Sequence, residues 1–153
     1  MTTSLGIAFY NPQGQRPSWS IAIYQNGNYD GEEVKTFAKN AYNQLIQVRE
    51  KLNRDPSFIG VVHLATVNAS EQGLAGLISN TDRRPLNVLP ANWNSSAWCL
   101  RVLHVLSQGI PNFPLTSNTI QSIPFSITNG NHQQRLLMLK HNNSNRTPVV
   151  SLA

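Results

Sequence analysis

The chain has 153 residues, 40% hydrophobic and only 12% charged, with a net charge of +5 and a single cysteine. That length predicts one domain, 1–153, able to bury a hydrophobic core without metal or disulfide staples, and the lone thiol excludes an intramolecular disulfide framework. The positive balance brings nucleic acid or an acidic membrane into view, but the cations are scattered, with only Arg83-Arg84 adjacent and no stripe beside stacking aromatics, so no nucleic-acid partner is expected.

Met1 to Gly6 shows no basic leader, Thr2 stands where N-myristoylation needs glycine, and no apolar run nears the ~20 residues of a membrane span. A cytoplasmic protein without a transmembrane segment is the expectation. Leu5, Ile7 and Phe9 alternate with smaller residues as a first strand, closed by the turn-rich 11–15. Trp19, Ile21 and Ile23 repeat the alternation, with Ser18, Ser20, Ala22 and Tyr24 on the other face, and Asn26-Gly27 is a hairpin signal. The two strands should pair antiparallel.

From 32 to 53, Val34, Phe37, Ala41, Leu45, Val48 and Leu52 fit a helical stripe, while a turn near Asn40–Asn43 would make two strands instead. Two strands are preferred. Phe58–Thr66 is a β-branched run that predicts a central strand. Asn68 or Ser70 caps a helix to about Ser79 with Leu74, Leu77 and Ile78 inward. The strongest helix runs from Asn94 or Ser95 to Ser107, burying Trp98, Val102, Val105 and Leu106 with Leu103 at the margin, and Gly109 and Pro111 end it. Residues 114–124 look like loop, 133–140 like a second amphipathic helix, and Val149-Val150 like a last short strand.

Three segments together resemble the circularly permuted NlpC/P60 (LRAT-like) branch of the papain fold. They are Ser18-Trp19-Ser20-Ile21-Ala22-Ile23-Tyr24, Val61-Val62-His63-Leu64-Ala65, and Asn94-Ser95-Ser96-Ala97-Trp98 opening a helix. The resemblance covers residues 4 to 108, looks most like the fungal-type members, and implies an α+β fold: an antiparallel sheet packed against a few helices. In that family a histidine before the tryptophan is the base and a cysteine at the helix start attacks an acyl carbon. Here Ser18 holds the base position and Ser95 the nucleophile position, while His63 is retained on the later strand. A hydroxyl attacks poorly unless a base takes its proton, so the inherited pair is lost as it stands.

The candidate catalytic residues are therefore His63, Ser95 and Ser18, and the candidate ligand contacts Trp19, Trp93, Asn94 and Cys99. Each has a structural alternative. Ser95 is first a helix N-cap worth ~1 kcal/mol and second a nucleophile. His63 is equally a hydrogen-bonded core histidine or a cleft residue. Cys99, one turn deeper than Ser95, is first a small core hydrophobe. Trp98 is core, and Trp93 is placed to rim a pocket. Asp82-Arg83-Arg84 reads as a solvated loop, His104 as structural or surface, and His132 and His141 as solvated. The histidines lack metal spacing, so no metal or cofactor is expected. Two functions follow. The preferred one is a degenerate pseudoenzyme binding a small molecule, peptide or protein partner in the inherited cleft. The other is an acyl hydrolase or acyltransferase with rearranged Ser/His groups, which needs His63 within ~2.6–3.2 Å of a serine hydroxyl.

Overall fold

The computed structural model describes residues 2–11, 18–25, 29–31, 33–39, 45–81, 95–142 and 146–152. Six strands form one mixed sheet and four helices accompany it. The strands are β1 (Thr3–Tyr10), β2 (Ser18–Tyr24), β3 (Val34–Lys39), β4 (Leu45–Glu50), β5 (Phe58–Val67) and β6 (Val149–Ser151), in the spatial order β4-β3-β2-β1-β5-β6. All neighbours are antiparallel except β5 and β6, which run parallel. The α+β class holds, and the wholly antiparallel sheet is corrected by that last strand.

Side-chain alternation sorts the molecule into two layers. Leu5, Ile7 and Phe9 of β1, Ile21 and Ile23 of β2 and Val62 of β5 share one core with the helices. Ala8 and Tyr10, Ala22, Val61 and Phe58 face the other way, onto a smaller core completed by Tyr29, Val34 and Leu52. The segment 32–53 is two strands, β3 and β4, and the turn expected between them lies outside the described residues. So does the Asn26-Gly27 turn. The strands bury both faces of β3 (Val34, Thr36 and Phe37), which a single surface helix would not allow.

The helices are α1 (Glu71–Thr81), α2 (Ser95–Gly109), α3 (Ser117–Asn129) and α4 (His132–Asn142). Ser70 caps α1 by accepting the Gly73 N–H at 3.0 Å. In α2 the buried stripe is Trp98, Cys99, Val102, Leu103 and Leu106, so Leu103 replaces the expected Val105. The expected loop at 114–124 is instead the start of α3. Thr116 accepts the Thr119 N–H at 3.2 Å as its N-cap, and Ile120, Ile123 and Ile127 enter the core at helical spacing. Pro124 sits inside this helix, where its missing N–H and ring ordinarily break the ladder. Burial of the three isoleucines outweighs that cost.

His132, expected in solvent, is buried. Its Nδ1 lies 3.4 Å from the Ile127 carbonyl and its Nε2 3.1 Å from that of Ser151, so it ties the α3–α4 turn to β6. Gly130 makes this approach feasible, since a Cβ there would meet the imidazole ring at 2.5 Å. No helix among the described residues is long and apolar enough to cross a membrane.

Candidate functional site

The predicted site residues fall into two separate places. Ser95 is the first residue of α2, and its Oγ accepts the Trp19 N–H at 2.8 Å. The geometry has a simple origin. Beyond the pair Ile21–Phe37, β3 no longer pairs with β2, and the hydroxyl takes the backbone donor that the strand leaves. The acceptor that an N-cap would offer its own helix is thus given to a strand. Ser18 is the residue next to this bond, half-buried at the start of β2 opposite Tyr10. The backbone beside Ser18 thus meets the Ser95 hydroxyl, and Ser18 itself is on the Tyr10 face of the sheet. Trp19 packs edge-to-face on Phe9 at a centroid distance of 5.2 Å and lies against the helix-side core. Cys99 is completely buried in that core, and burial pushes its thiol pKa up, away from the thiolate form. It lines no opening. Trp93 and Asn94 lie outside the described residues, as do Asp82, Arg83 and Arg84.

His63 is elsewhere. It pairs with Gly6 and so projects with Val61 toward the smaller core, the sheet face opposite α2. Along β1, Gly6 lies three residues from Phe9, the partner of Trp19, or ~10 Å at strand rise. Two strand spacings separate β5 from β2 as well. His63 and Ser95 therefore do not meet, and neither Ser18 nor Ser95 is within proton-transfer reach of this imidazole. This corrects the expectation of a shared cleft. The strand Val61–Ala65 was legible, but which way residue 63 points depends on a register shift between Leu5 and Gly6 that places Leu64 and Ala65 both on the helix side.

What surrounds His63 is a cavity of about 630 Å³, lined chiefly by Tyr29, Asp30, His63, Thr66, Arg146 and Ser151, with Leu139 and Val149 as its apolar wall. Its floor depends on Tyr29. This residue is buried with a φ of 60°, a left-handed conformation that is rare for a bulky side chain. Its hydroxyl lies 2.9 Å from His63 Nδ1, and the rings meet edge-on with centroids 5.9 Å apart. Burial drives the Tyr29 phenol pKa far up, so it keeps its proton, and burial lowers that of His63, which favours the neutral ring. In the tautomer where the phenol donates to Nδ1 the second ring nitrogen is an N–H donor, and in the other it is an acceptor. Thr147 fixes the same segment: its Oγ1 donates to the Tyr29 carbonyl at 3.1 Å and its N–H to Asp30 Oδ1 at 2.7 Å.

Sequence reasoning missed Tyr29, Asp30 and Arg146. Nothing local marks them, because they reach the site through a strained turn and the approach to β6, two features of tertiary structure. Among the described residues no group of three or more His, Cys, Asp or Glu is arranged to hold a metal. The cavity can orient a polar molecule through the imidazole, hydroxyl and guanidinium groups. No family model matches the chain, and no curated protein or solved structure matches it significantly.

Proposed function

We propose that this protein is a degenerate relative of the permuted NlpC/P60 group that works by binding a small molecule or peptide rather than by acyl transfer. The observation that carries this reading is the bond from the Trp19 N–H to Ser95 Oγ at 2.8 Å. It joins the first and third segments of the sequence resemblance, at the end of one strand and the start of one helix. The base and nucleophile positions are both serine, so no imidazole is there to take a proton and no thiol to give one. The Ser95 oxygen already serves as an acceptor for backbone. Binding then falls to the cavity over His63, whose volume lies in the usual range for small-molecule sites and whose polar groups converge on an apolar wall.

The test is to rebuild the lost pair. In the double variant Ser18→His, Ser95→Cys, alkylation of the new thiol by iodoacetamide at pH 6 should be at least tenfold faster than in Ser95→Cys alone, because a neighbouring imidazolium holds a thiolate. Peptide mass spectrometry separates this thiol from buried Cys99. Equal rates would remove the inherited pair, and the ancestry with it. An esterase or amidase rate in the unaltered protein that disappears in Ser95→Ala would remove the non-catalytic reading.

A further inference from the structure

Among the described residues, five large apolar side chains are exposed, and four belong to α3 and α4: Phe125, Leu137, Met138 and Leu139. Met138 is 66% exposed, more than a core-facing helix requires. The α4 residues form part of one continuous surface. Leu139 borders the cavity over His63, together with Arg146 and Val149, and also a shallow apolar groove of about 270 Å³ shared with Arg135, Met138 and Val150. Arg135 and Arg146 thus flank an apolar strip made by Met138, Leu139 and β6.

Charge along the chain singles out the same half. All seven acidic residues lie between Asp30 and Asp82, whereas residues 83–153 contain six Lys or Arg and no Asp or Glu. Among the described residues the strip is bordered by a single carboxylate side chain, Asp30, which accepts the Thr147 N–H. Lys140 contributes less to the outer face because its ammonium donates to the Phe58 carbonyl. A second copy of the chain would set like charges against one another here. Nucleic acid would call for stacking aromatics rather than Met and Leu. Exposed aliphatic side chains between cations match an anionic lipid interface.

We propose that α4 and the adjoining β6 dock this protein on an anionic membrane surface, with Met138 and Leu139 entering the headgroup boundary and Arg135 and Arg146 meeting lipid phosphates. The contact is peripheral, and it is independent of the fate of the Ser18–Ser95 pair.

Flotation of the full chain with phosphatidylcholine vesicles, with and without about 30% phosphatidylserine, tests it. Binding should require the anionic lipid and fall at least fivefold between about 0.1 M and 0.5 M salt, as screening dictates. Arg135→Gln and Arg146→Gln should each weaken it about fivefold, and Met138→Ser about as much. These residues are exposed, so unchanged thermal melting of the variants secures the comparison. No binding to phosphatidylserine vesicles overturns the proposal. So does binding indifferent to all three substitutions, a dimer in lipid-free solution that Met138→Ser abolishes, or equal affinity for a DNA duplex.

Discussion

Replacing Gly6 by alanine probes how the floor of the His63 cavity is assembled. A Cβ at this position would lie 2.7 Å from Val61 Cγ1, 2.9 Å from the Tyr29 hydroxyl and 2.9 Å from the Val62 carbonyl. All three distances are below real carbon contacts, one neighbour is backbone in the middle of a sheet, and the other two are buried. Overpacking of this kind costs about 1–3 kcal/mol, and the upper end applies because the β1–β5 pair cannot part without losing its ladder. At about 3 °C per kcal/mol for a domain of this size, Gly6→Ala should lower Tm by about 6–9 °C. The Tyr29 hydroxyl is the neighbour most able to yield, so the substitution should also loosen its bond to His63. A double-mutant cycle with Tyr29→Phe isolates that part. Tyr29→Phe alone should cost about 1 kcal/mol through the lost hydrogen bond, and in its background Gly6→Ala should cost less, with a coupling of about 1 kcal/mol. Urea unfolding measures all four corners. A Gly6→Ala protein within about 0.5 kcal/mol of the parent, or strict additivity with Tyr29→Phe, would refute the placement of Tyr29 over Gly6.

Ser95→Ala removes the acceptor of the Trp19 N–H and should destabilise by about 1–2 kcal/mol in urea titrations, whereas Ser95→Thr should recover part of that. The lowered His63 pKa sets a pH dependence. Below an unfolded value of about 6.5 the unfolded chain binds a proton that the folded chain resists, so this contribution is complete above that pH and is lost as pH falls through the lower folded value. The urea midpoint of the parent should therefore drop more between pH 7.5 and pH 5 than that of His63→Gln. Cys99 should resist Ellman's reagent under native conditions and react once urea unfolds the chain, since the thiol is buried and held protonated.

How much of this was legible depended on whether the deciding forces were local. Alternation in Leu5-Ile7-Phe9 and Trp19-Ile21-Ile23 placed β1 and β2 and their pairing, because inward and outward faces are written at a period of two. The 32–53 segment carried both periods at once, and its strand character comes from pairing with β2, a long-range fact. For α3, the proline at 124 spoke louder than the isoleucines at 120, 123 and 127, and their burial decided the other way. The side of the sheet taken by His63 was not legible, because one extra residue in β5 opposite β1 resets the orientation of the strand on either side of it. His132 looked solvated on composition, and only its two carbonyl neighbours, contributed by α3 and β6, explain its burial.

The parallel strand β6 leaves one more consequence. Val61 donates its N–H to the Pro148 carbonyl and Leu152 its own to that of His63, while Thr147 grips the Tyr29–Asp30 turn. One wall of the cavity is therefore a strap, seated by backbone bonds to β5 and by Thr147 on the Tyr29–Asp30 turn. A ligand that binds the seated strap better than the loosened one would tighten it, and loosening the strap would weaken that ligand by the same factor. Protease sensitivity of residues 146–152 would then report occupancy without any need to know the occupant's identity.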